Sequence, residues 1–423
     1  MFGTGGTIAM HEEIKEGRKV LVPGISAEQL LSRSGGGINE RFAVATLDFP
    51  TTMDSSEMEI DYNAELVIAM SYIWKNASEE LKQRFIGFVI AHGTDTMAAS
   101  SAYLSMMLGP NCPFSVGTVG AQQPAEKRHT DVFGNIRLIF DSLEDLNDAH
   151  IRERFVTMGG TAGGSYPAVA VEKISDTLVA AFGTFTHPLV INAADFAAEG
   201  VKSSFAEEYR DKASFLFVPD LSGKVKQWND RVFYPIILRG YNHLVPLMPQ
   251  EGDDPKQIYN QIHAAKAARF IDITTFGGFT VNSKMRGAIM LAAQETGKSV
   301  IAANPFPQGK LDHAYEPAVK LREAGVLVTG IPPTALRAKV LLAQRLFGED
   351  QARILDFIGN RNFVGEQPPQ YWDQYIKERD AAFAKRTNTI NQPRSIEAFL
   401  RTGPGIPDGV VKILHSGKIS PSA

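Results

Sequence analysis

The chain has 423 residues and a formal net charge of −4 at pH 7; 44% of its residues are hydrophobic and 21% are charged. This composition is that of a globular protein with room for two or three domains, and its slight acidity gives no reason to expect nucleic acid as the main partner. The single cysteine, Cys112, excludes an internal disulfide and a cysteine-based metal cluster.

The chain shows no sign of export or membrane insertion. No uncharged apolar run reaches the roughly 18 residues that a membrane helix requires. The N-terminal residues lack the basic and then apolar pattern of a secretory signal. We therefore expect a cytoplasmic protein.

Alternating strand and helix patterns organise the first half of the chain. Residues 86–91 predict a buried strand and residues 97–108 a helix, and a strand over 113–119 and a helix over 133–143 follow. Asp131 lies where the N-cap of the second helix belongs. This alternation favours a parallel sheet covered by helices, which is an α/β domain.

The same alternation returns in the second half. Apolar runs over 233–238, 270–274, 299–303 and 326–329 predict four further strands. A helix is predicted over 335–346, directly after a Pro-Pro-Thr sequence that suits a helix start. We therefore expect a second α/β unit.

Composition divides the chain into four parts. Residues 1–200 and 233–359 correspond to the two α/β domains, and the charged stretch 201–232 is interpreted as a linker. Residues 360–423 are polar and interrupted by prolines, with one amphipathic helical candidate over 371–383. This C-terminal extension is interpreted as an appended helix that packs on the body, as an assembly segment, or as a surface extension without chemistry.

Two threonine-bearing turns are the most informative motifs. The first is Thr4–Ala9 (TGGTIA), and the second is His92–Met97 (HGTDTM), which follows the first predicted strand. Glycines beside a hydroxyl group let backbone and substrate approach closely, and a polar neighbour such as Asp95 can manage the proton of a hydroxyl nucleophile. Either motif alone would equally suit a plain turn or a helix cap.

Two further segments contribute polar side chains. Asp54–Met58 (DSSEM) contains a serine pair, and Val171–Ser175 (VEKIS) places Lys173 on a strand-like stretch. In isolation the first would be a capped helix start and the second would carry an ordinary solvated lysine.

In this order along the chain, the four motifs resemble those of the bacterial-type L-asparaginases and glutaminases. The serine pair is similar to that of the cytosolic type I enzymes in particular. The resemblance covers about residues 1–358. The small turn over 119–135, which contains Asp131 and Asn135, is also similar to the family's.

The resemblance implies an α/β fold with a larger N-terminal parallel-sheet domain and a smaller C-terminal domain. It implies hydrolysis of the side-chain amide of L-asparagine, or of L-glutamine, through a threonine acyl-enzyme that releases ammonia. The substrate's α-carboxylate and α-amino groups would be held by hydroxyls, backbone and an aspartate. The implied residues are Thr4, Thr94, Asp95 and Lys173 for catalysis, with Thr4 as nucleophile, and Ser55, Ser56 and Asp95 for substrate binding.

The resemblance also implies a homodimer or homotetramer that binds a small amino acid and uses no cofactor. The sequence contains no motif for metal-dependent hydrolysis, for a serine nucleophile or for nucleotide binding. The sequence His11-Glu12-Glu13 lacks the second histidine of a zinc helix, and no Gly-x-Ser-x-Gly elbow or Walker-type lysine occurs. The glycines of Thr4–Ala9 do not form a dinucleotide fingerprint.

Three departures from the family pattern bear on activity. Leu21 stands where the family has a lid tyrosine that helps to activate the nucleophile, and leucine cannot relay a proton. Another group, or a neighbouring subunit, could substitute for the tyrosine; otherwise Thr4 is poorly activated. Only three residues precede Thr4, where the family has a full central strand, so either the start is misassigned or the strand is missing and the sheet is rearranged. Residues 275–282 match only loosely the turn with which the family reaches into a neighbouring site.

Two other functions remain open at this point. One is the subunit that supplies ammonia to a tRNA-dependent amidotransferase, an archaeal relative with an additional N-terminal domain. The other is a catalytically degenerate family member with a structural or interaction role, which the missing tyrosine favours. We expect the amidohydrolase.

Overall fold

The structure is a computed structural model with regular elements in both halves of the chain. It describes residues 1–35, 37–109, 112–148, 156–159, 165–178, 181–184, 217–219, 225–227, 235–238, 244–250, 252–275, 279–303, 316–360, 363–364 and 366. The predicted helix over 371–383 and most of the linker 201–232 lie outside these residues.

The elements of the first half alternate as the sequence predicts. The strands are β1 (Phe2–Gly5), β2 (Met10–Lys15), β3 (Arg18–Pro23), β4 (Leu47–Met53), β5 (Phe88–Ala91), β6 (Val116–Val119), β7 (Val156–Gly159), β8 (Ser165–Pro167), β9 (Val171–Lys173) and β10 (Phe182–Thr184). The helices are α1 (Ala27–Arg33), α2 (Ile38–Arg41), α3 (Ile60–Asn76), α4 (Glu79–Arg84), α5 (Met97–Leu108) and α6 (Val132–Asp148).

A six-stranded sheet forms the centre of this half, in the order β4-β1-β5-β6-β7-β8. Its strands are parallel except for β8, which runs antiparallel to β7. Strand β1 pairs with both β4 and β5, so the short segment before Thr4 supplies a central strand and the sheet is not rearranged. The two-stranded pairs β2–β3 and β9–β10 lie outside this sheet.

The second half contains a four-stranded parallel sheet. After the short antiparallel pair β11 (Phe217–Pro219) and β12 (Val225–Gln227), its strands are β13 (Leu244–Leu247), β14 (Phe270–Thr274), β15 (Ser299–Ala303) and β16 (Leu327–Thr329), paired in that order. The helices are α7 (Pro255–Ala264), α8 (Ser283–Thr296), α9 (Glu316–Glu323), α10 (Pro333–Phe347) and α11 (Gln351–Asn360). The expected α/β class, with a larger first and a smaller second parallel-sheet domain, is confirmed.

One predicted strand is wrong in its described part. Residues 235–238 of the predicted strand 233–238 are not in a sheet. The backbone N–H of Ile236 instead donates to the carbonyl of Met107 at the end of α5, and Leu238 is buried. The apolar run reflects burial against a helix and not pairing with a strand.

Helix packing joins the two domains. Helix α10 of the second domain packs along α5 of the first, and α11 packs on α10. One buried apolar cluster accordingly contains Leu104 and Met106 of α5 together with Leu342 and Phe357 of the second domain. No helix in the described residues is long and apolar enough to cross a membrane.

Candidate active site

The first threonine turn begins at the end of β1, in the middle of the larger sheet. Thr4 is buried, and its hydroxyl donates to the carbonyl oxygen of Ala91 at 2.9 Å. Gly5 and Gly6 follow with φ angles of 102° and 77°, in the left-handed region that glycine tolerates. The two glycines therefore let the chain turn sharply directly after the hydroxyl side chain.

The second threonine turn packs directly against the first. A Cβ atom placed on Gly6 would lie 2.1 Å from the Cα atom of Gly93, and one placed on Gly93 would lie 2.4 Å from Oγ of Ser55. Only glycine allows this backbone contact. The turns that carry Thr4 and Thr94, and the segment that carries Ser55, therefore meet at the carboxyl ends of β1, β5 and β4, the edge where parallel α/β sheets bind ligands.

Thr94, Asp95 and Lys173 form one hydrogen-bonded group. Nζ of Lys173 donates to Oδ1 of Asp95 at 2.6 Å and to Oγ1 of Thr94 at 3.4 Å. Thr94 is buried, whereas 56% of the Asp95 side chain is exposed. Because Thr94 accepts a hydrogen bond from the ammonium group, its own hydroxyl proton is available to another group. The three side chains thus form a polar surface that opens to solvent through Asp95.

Lys173 is held in its charged form. Burial lowers its pKa, but the hydrogen bonds to Asp95 and Asp176 and the charges of both carboxylates raise it more, so that the pKa lies above its usual value. The Asp176 carboxylate is 2.9 Å from Nζ. Lys173 is therefore an ammonium group at neutral pH in this arrangement and cannot accept a proton.

The two serines have different surroundings. Ser55 is buried beside Gly93, and the hydroxyl of Thr96 donates to its backbone carbonyl at 2.8 Å. Ser56 is exposed, and both its backbone N–H and its hydroxyl donate to Oδ1 of Asp54. The Ser56 hydroxyl proton is therefore already committed, which makes Ser55 the better placed of the two to meet a ligand.

A neighbouring turn encloses the group from the side of β6. Gly120 lies against Thr94, since a Cβ atom on it would be 3.0 Å from Cγ2 of that residue. Asn135 Nδ2 donates to the Gly120 carbonyl at 2.9 Å. Asp131 precedes α6 as predicted, and its carboxylate accepts the backbone N–H groups of Gln122 and Gln123 at 3.0 and 2.9 Å. Asp131 and Asn135 together fix the turn next to Thr94.

His92 precedes the second turn and is fully buried. Its Nδ1 atom lies 2.7 Å from the carbonyl oxygen of Gly93. Burial lowers the pKa of His92, so the ring is neutral at pH 7. His92 therefore supports the turn and supplies no charge to it.

The segment with the expected lid position is a β-hairpin. Strands β2 and β3 pair antiparallel through a two-residue turn at Glu16 and Gly17, both with positive φ, which is the geometry that matches strand twist. Leu21 pairs with Glu12, and 44% of its surface is exposed. Lys127 forms an ion pair with Glu12 at 2.5 Å and links the hairpin to the turn before α6. The hairpin thus presents an apolar side chain where the family has a phenol.

The structure adds residues that the sequence did not single out. Asp176 is a second carboxylate on Lys173, and Glu172, the neighbour of Lys173 in β9, contacts the second domain through Thr334. The acidic residues that flank Lys173 were the only available signal. Asn282, within the loosely matching segment 275–282, caps α8 by accepting the N–H of Lys284, and residues 276–278 lie outside the described part.

The fold and the site together define a class of protein. It is a two-domain α/β protein that carries a Thr–Asp–Lys group and a glycine-flanked threonine on adjoining turns. Residues 1–203 match the family model described as asparaginase, N-terminal. The match confirms, for residues 1–203, the resemblance to the asparaginase family that the four motifs predicted. Among the described residues, no group of three or more His, Cys, Asp or Glu side chains could hold a metal ion.

Two solved structures with the same fold are L-asparaginases. The thermostable L-asparaginase from Thermococcus kodakarensis superposes with a TM-score of 0.64 at 20% identity, covering 87% of this chain and 98% of that protein. L-asparaginase I from Vibrio cholerae gives a TM-score of 0.59 at 19% identity, covering 86% and 98%. At this level of identity the comparison establishes the fold.

Curated relatives match a smaller part of the chain. A glutamyl-tRNA(Gln) amidotransferase subunit from Pyrococcus furiosus is 30% identical over 168 residues, which are 39% of this chain and 34% of that protein. The chain thus spans about a third of this relative's length.

Proposed function

We propose that the protein is an amidohydrolase that cleaves the side-chain amide of L-asparagine, with L-glutamine as a poorer substrate. The observation that carries the proposal is the contact of the two threonine turns, one with the buried Thr4 and the other with Thr94 and Asp95, to which Lys173 is hydrogen-bonded. The family of the N-terminal domain and the names of the structural neighbours support the same activity.

The proposed reaction begins at Thr4. Its hydroxyl oxygen attacks the amide carbonyl of the substrate and gives up its proton. The C–N bond then breaks, and the leaving amino group takes up that proton and departs as ammonia, which leaves an acyl-enzyme on Thr4. Backbone N–H groups at the glycine turns stabilise the tetrahedral oxyanion, a contribution of about 3–4 kcal/mol for one donor. In the structure the Thr4 hydroxyl donates a hydrogen bond to the Ala91 carbonyl oxygen, so it must rotate away from this carbonyl before it can attack.

The remaining residues bind the substrate and assist hydrolysis of the acyl-enzyme, the second step. The half-exposed carboxylate of Asp95 binds the substrate's α-ammonium group, and Ser55 binds its α-carboxylate together with backbone groups. The free hydroxyl proton of Thr94 orients the substrate amide or the water that later attacks the acyl-enzyme. Lys173 acts as a fixed cation that holds Thr94 and Asp95 in place, because its raised pKa keeps it protonated.

The family and the site also support an assembly and a location. We infer a homodimer or homotetramer in the cytoplasm, in which a neighbouring subunit can supply the polar group that Leu21 does not offer at the lid position. A monomer by sedimentation at micromolar concentration would contradict this part of the proposal.

Ammonia release from L-asparagine tests the activity. We expect turnover by the wild-type protein, loss of about 10³-fold or more in Thr4→Ala and Thr94→Val, and partial activity in Thr4→Ser, which keeps the hydroxyl. L-Glutamine is run in parallel, and thermal unfolding checks that each variant is folded. No ammonia at millimolar substrate with ample wild-type enzyme contradicts the proposal.

A catalytically degenerate interaction protein is the second candidate, and the leucine at position 21 is the observation that favours it. Leu21→Tyr decides between the two, because the position is on an exposed hairpin strand that accepts an aromatic side chain. A rise in ammonia release in this variant from an inactive wild type indicates a degenerate enzyme. Equal activity in both proteins indicates that Leu21 is no obstacle.

A further inference from the structure

Strand β9 points two neighbouring charged side chains in opposite directions. Successive side chains of a strand alternate between its faces. Lys173 accordingly reaches Thr94 and Asp95, while Glu172 reaches into the second domain. Oε1 of Glu172 accepts both the backbone N–H and the hydroxyl of Thr334, each at 2.6 Å. Strand β9, which carries Lys173, is therefore hydrogen-bonded to the second domain through the preceding residue, Glu172.

The group that Glu172 contacts is the N-terminus of α10. This helix starts at Pro333, and its N-cap residue, Pro332, makes no side-chain capping hydrogen bond. Glu172 takes over that task from another part of the chain, and its position near the positive end of the helix dipole favours an acidic side chain. One turn later Arg337 donates to the buried Asp272 of β14 at 3.0 Å, which holds the same end of α10 to its own sheet.

Helix α10 also contacts the candidate site by a second route, through α5. Helix α10 packs along α5, and α5 begins at Met97, directly after the turn that contains Thr94 and Asp95. Lys173 holds this turn from the other side. Helix α10 thus contacts β9 through the hydrogen bonds at its N-terminus and contacts α5 through packing. Strand β9 carries Lys173, and α5 directly follows the turn with Thr94 and Asp95.

We propose that Glu172 is a positioning residue: through its two hydrogen bonds to Thr334, the second domain sets where Lys173 stands relative to Thr94 and Asp95. The proposal deepens the proposed function and rests on it for its effect on catalysis. The charged groups that face Glu172 are Arg337 of α10 and Asp272 of β14. The position of Lys173 itself can be measured without any turnover.

The experiment measures the reactivity of the Lys173 amine, read by residue-resolved mass spectrometry after brief treatment with an acetylating N-hydroxysuccinimide ester. An ammonium group held between two carboxylates reacts slowly. We expect Glu172→Ala to increase the labelling of Lys173 about fivefold, the scale set by loss of one helix cap. Thr334→Val, which removes the hydroxyl donor and keeps the backbone N–H, is expected to give a smaller increase.

Conservative variants and a matched control separate positioning from general loosening. Glu172→Gln keeps a carbonyl oxygen as acceptor, and Thr334→Ser keeps the hydroxyl, so both should label like the wild type. Asp254→Ala removes the cap of α7, where the carboxylate accepts the N–H of Lys256, and it should leave Lys173 unchanged. If Glu172→Ala does not fold, Thr334→Val and Thr334→Ser still make the comparison.

Kinetics of ammonia release add a second readout. Glu172→Ala is expected to lower kcat for L-asparagine about fivefold and to leave KM within about twofold, because Asp95 and Ser55, which bind the substrate, lie on segments other than β9. Unchanged labelling of Lys173 in both Glu172→Ala and Thr334→Val overturns the proposal, as does an equal rise in Asp254→Ala. If the wild type releases no ammonia, the proposed function fails, whereas the labelling result still decides whether Glu172 positions Lys173.

Discussion

Lys173 and Lys339 form ion pairs of equal length in opposite surroundings. Nζ of Lys173 lies 2.6 Å from Asp95, whose side chain is 56% exposed. Nζ of Lys339 also lies 2.6 Å from a carboxylate, that of Glu366, but both partners are 0% exposed. The pKa of Lys173 is raised because its carboxylates outweigh the effect of burial, and the pKa of Lys339 is lowered because burial outweighs Glu366.

The two ion pairs differ in their surroundings: the Lys173–Asp95 pair lies in the candidate site, and the Lys339–Glu366 pair lies in the packed interior. Because Asp95 is exposed to solvent, its ion pair with Lys173 contributes little to stability, and the same exposure leaves its carboxylate accessible. Around Lys339 the charges are shielded by protein: Nζ donates to the carbonyl of Ile358 and lies over the ring of Phe357, while Glu366 accepts the N–H groups of Phe363 and Val364. Burial thus decides whether a similar ion pair matters for stability or for chemistry.

The largest expected effect is on the buried pair. Lys339→Met removes the ammonium group from beside Glu366 in a site closed to water, so we expect a loss of about 3–5 kcal/mol in the free energy of unfolding. Urea unfolding followed by circular dichroism measures the loss. The double variant Lys339→Met/Glu366→Gln should recover a large part of it, and a double variant as unstable as the single one would contradict this account.

The corresponding change at the site should hardly affect stability. We expect Lys173→Met to change the free energy of unfolding by less than about 1 kcal/mol, since its partners are exposed to solvent, while ammonia release falls by about 10²-fold or more. The same urea unfolding and ammonia assays measure both. A stability loss as large as that of Lys339→Met would remove the distinction drawn here.

The pH dependence of the two lysines should also differ in direction. The raised pKa of Lys173 means that its contribution to stability is complete below its unfolded value of 10.5 and is lost as the pH rises through the higher folded value. The lowered pKa of Lys339 means that stability rises as the pH approaches 10.5 from the folded value. Unfolding of each Lys→Met variant against wild type, from pH 7 to 11, measures these slopes.

The smallest effect is expected from Asp176. Its side chain is 86% exposed, so Asp176→Asn should change stability by no more than a few tenths of a kcal/mol. Removing this second carboxylate lowers the pKa of the Lys173 amine, which should then acetylate faster at pH 9. Equal acetylation in wild type and variant would show that Asp95 alone holds the ammonium group.

The bounds of several buried elements were predictable from the sequence. Helix α5 has the predicted bounds 97–108, and β14 and β15 have the predicted bounds 270–274 and 299–303. These segments satisfy their local preference and their burial at the same time. The predicted strand 233–238 failed in its described part because an apolar run indicates burial but does not name the partner.

The sequence named candidate site residues, but it did not reveal the hydrogen bonds that connect them to the rest of the fold. Motif order drew attention to Thr4, Thr94, Asp95 and Lys173, and the turns do meet. The role of Glu172 depends on Thr334, 162 positions away, and no local pattern contains such a pair. Interactions of this kind follow from how two domains pack, which composition and periodicity do not encode.

The predicted C-terminal extension, 360–423, shows the same limit. Its polar composition suggested a surface segment, yet Phe363, Val364 and Glu366 are buried against the second domain. From the sequence alone, a glutamate such as Glu366 is expected to face solvent. Its burial is explained only by the ion pair with Lys339, which the structure reveals. The pairing with Lys339 therefore reassigns the first residues of the extension to the folded body.

This reassignment has a practical consequence for anyone who trims the protein for crystallisation. A stop codon placed just after α11, where the last regular helix of the described residues ends at Asn360, would delete the carboxylate that pairs with Lys339. The shortened polypeptide would then carry a buried cation that has lost this counterion, and it would tend to aggregate on expression. Boundaries chosen beyond Glu366 avoid that outcome.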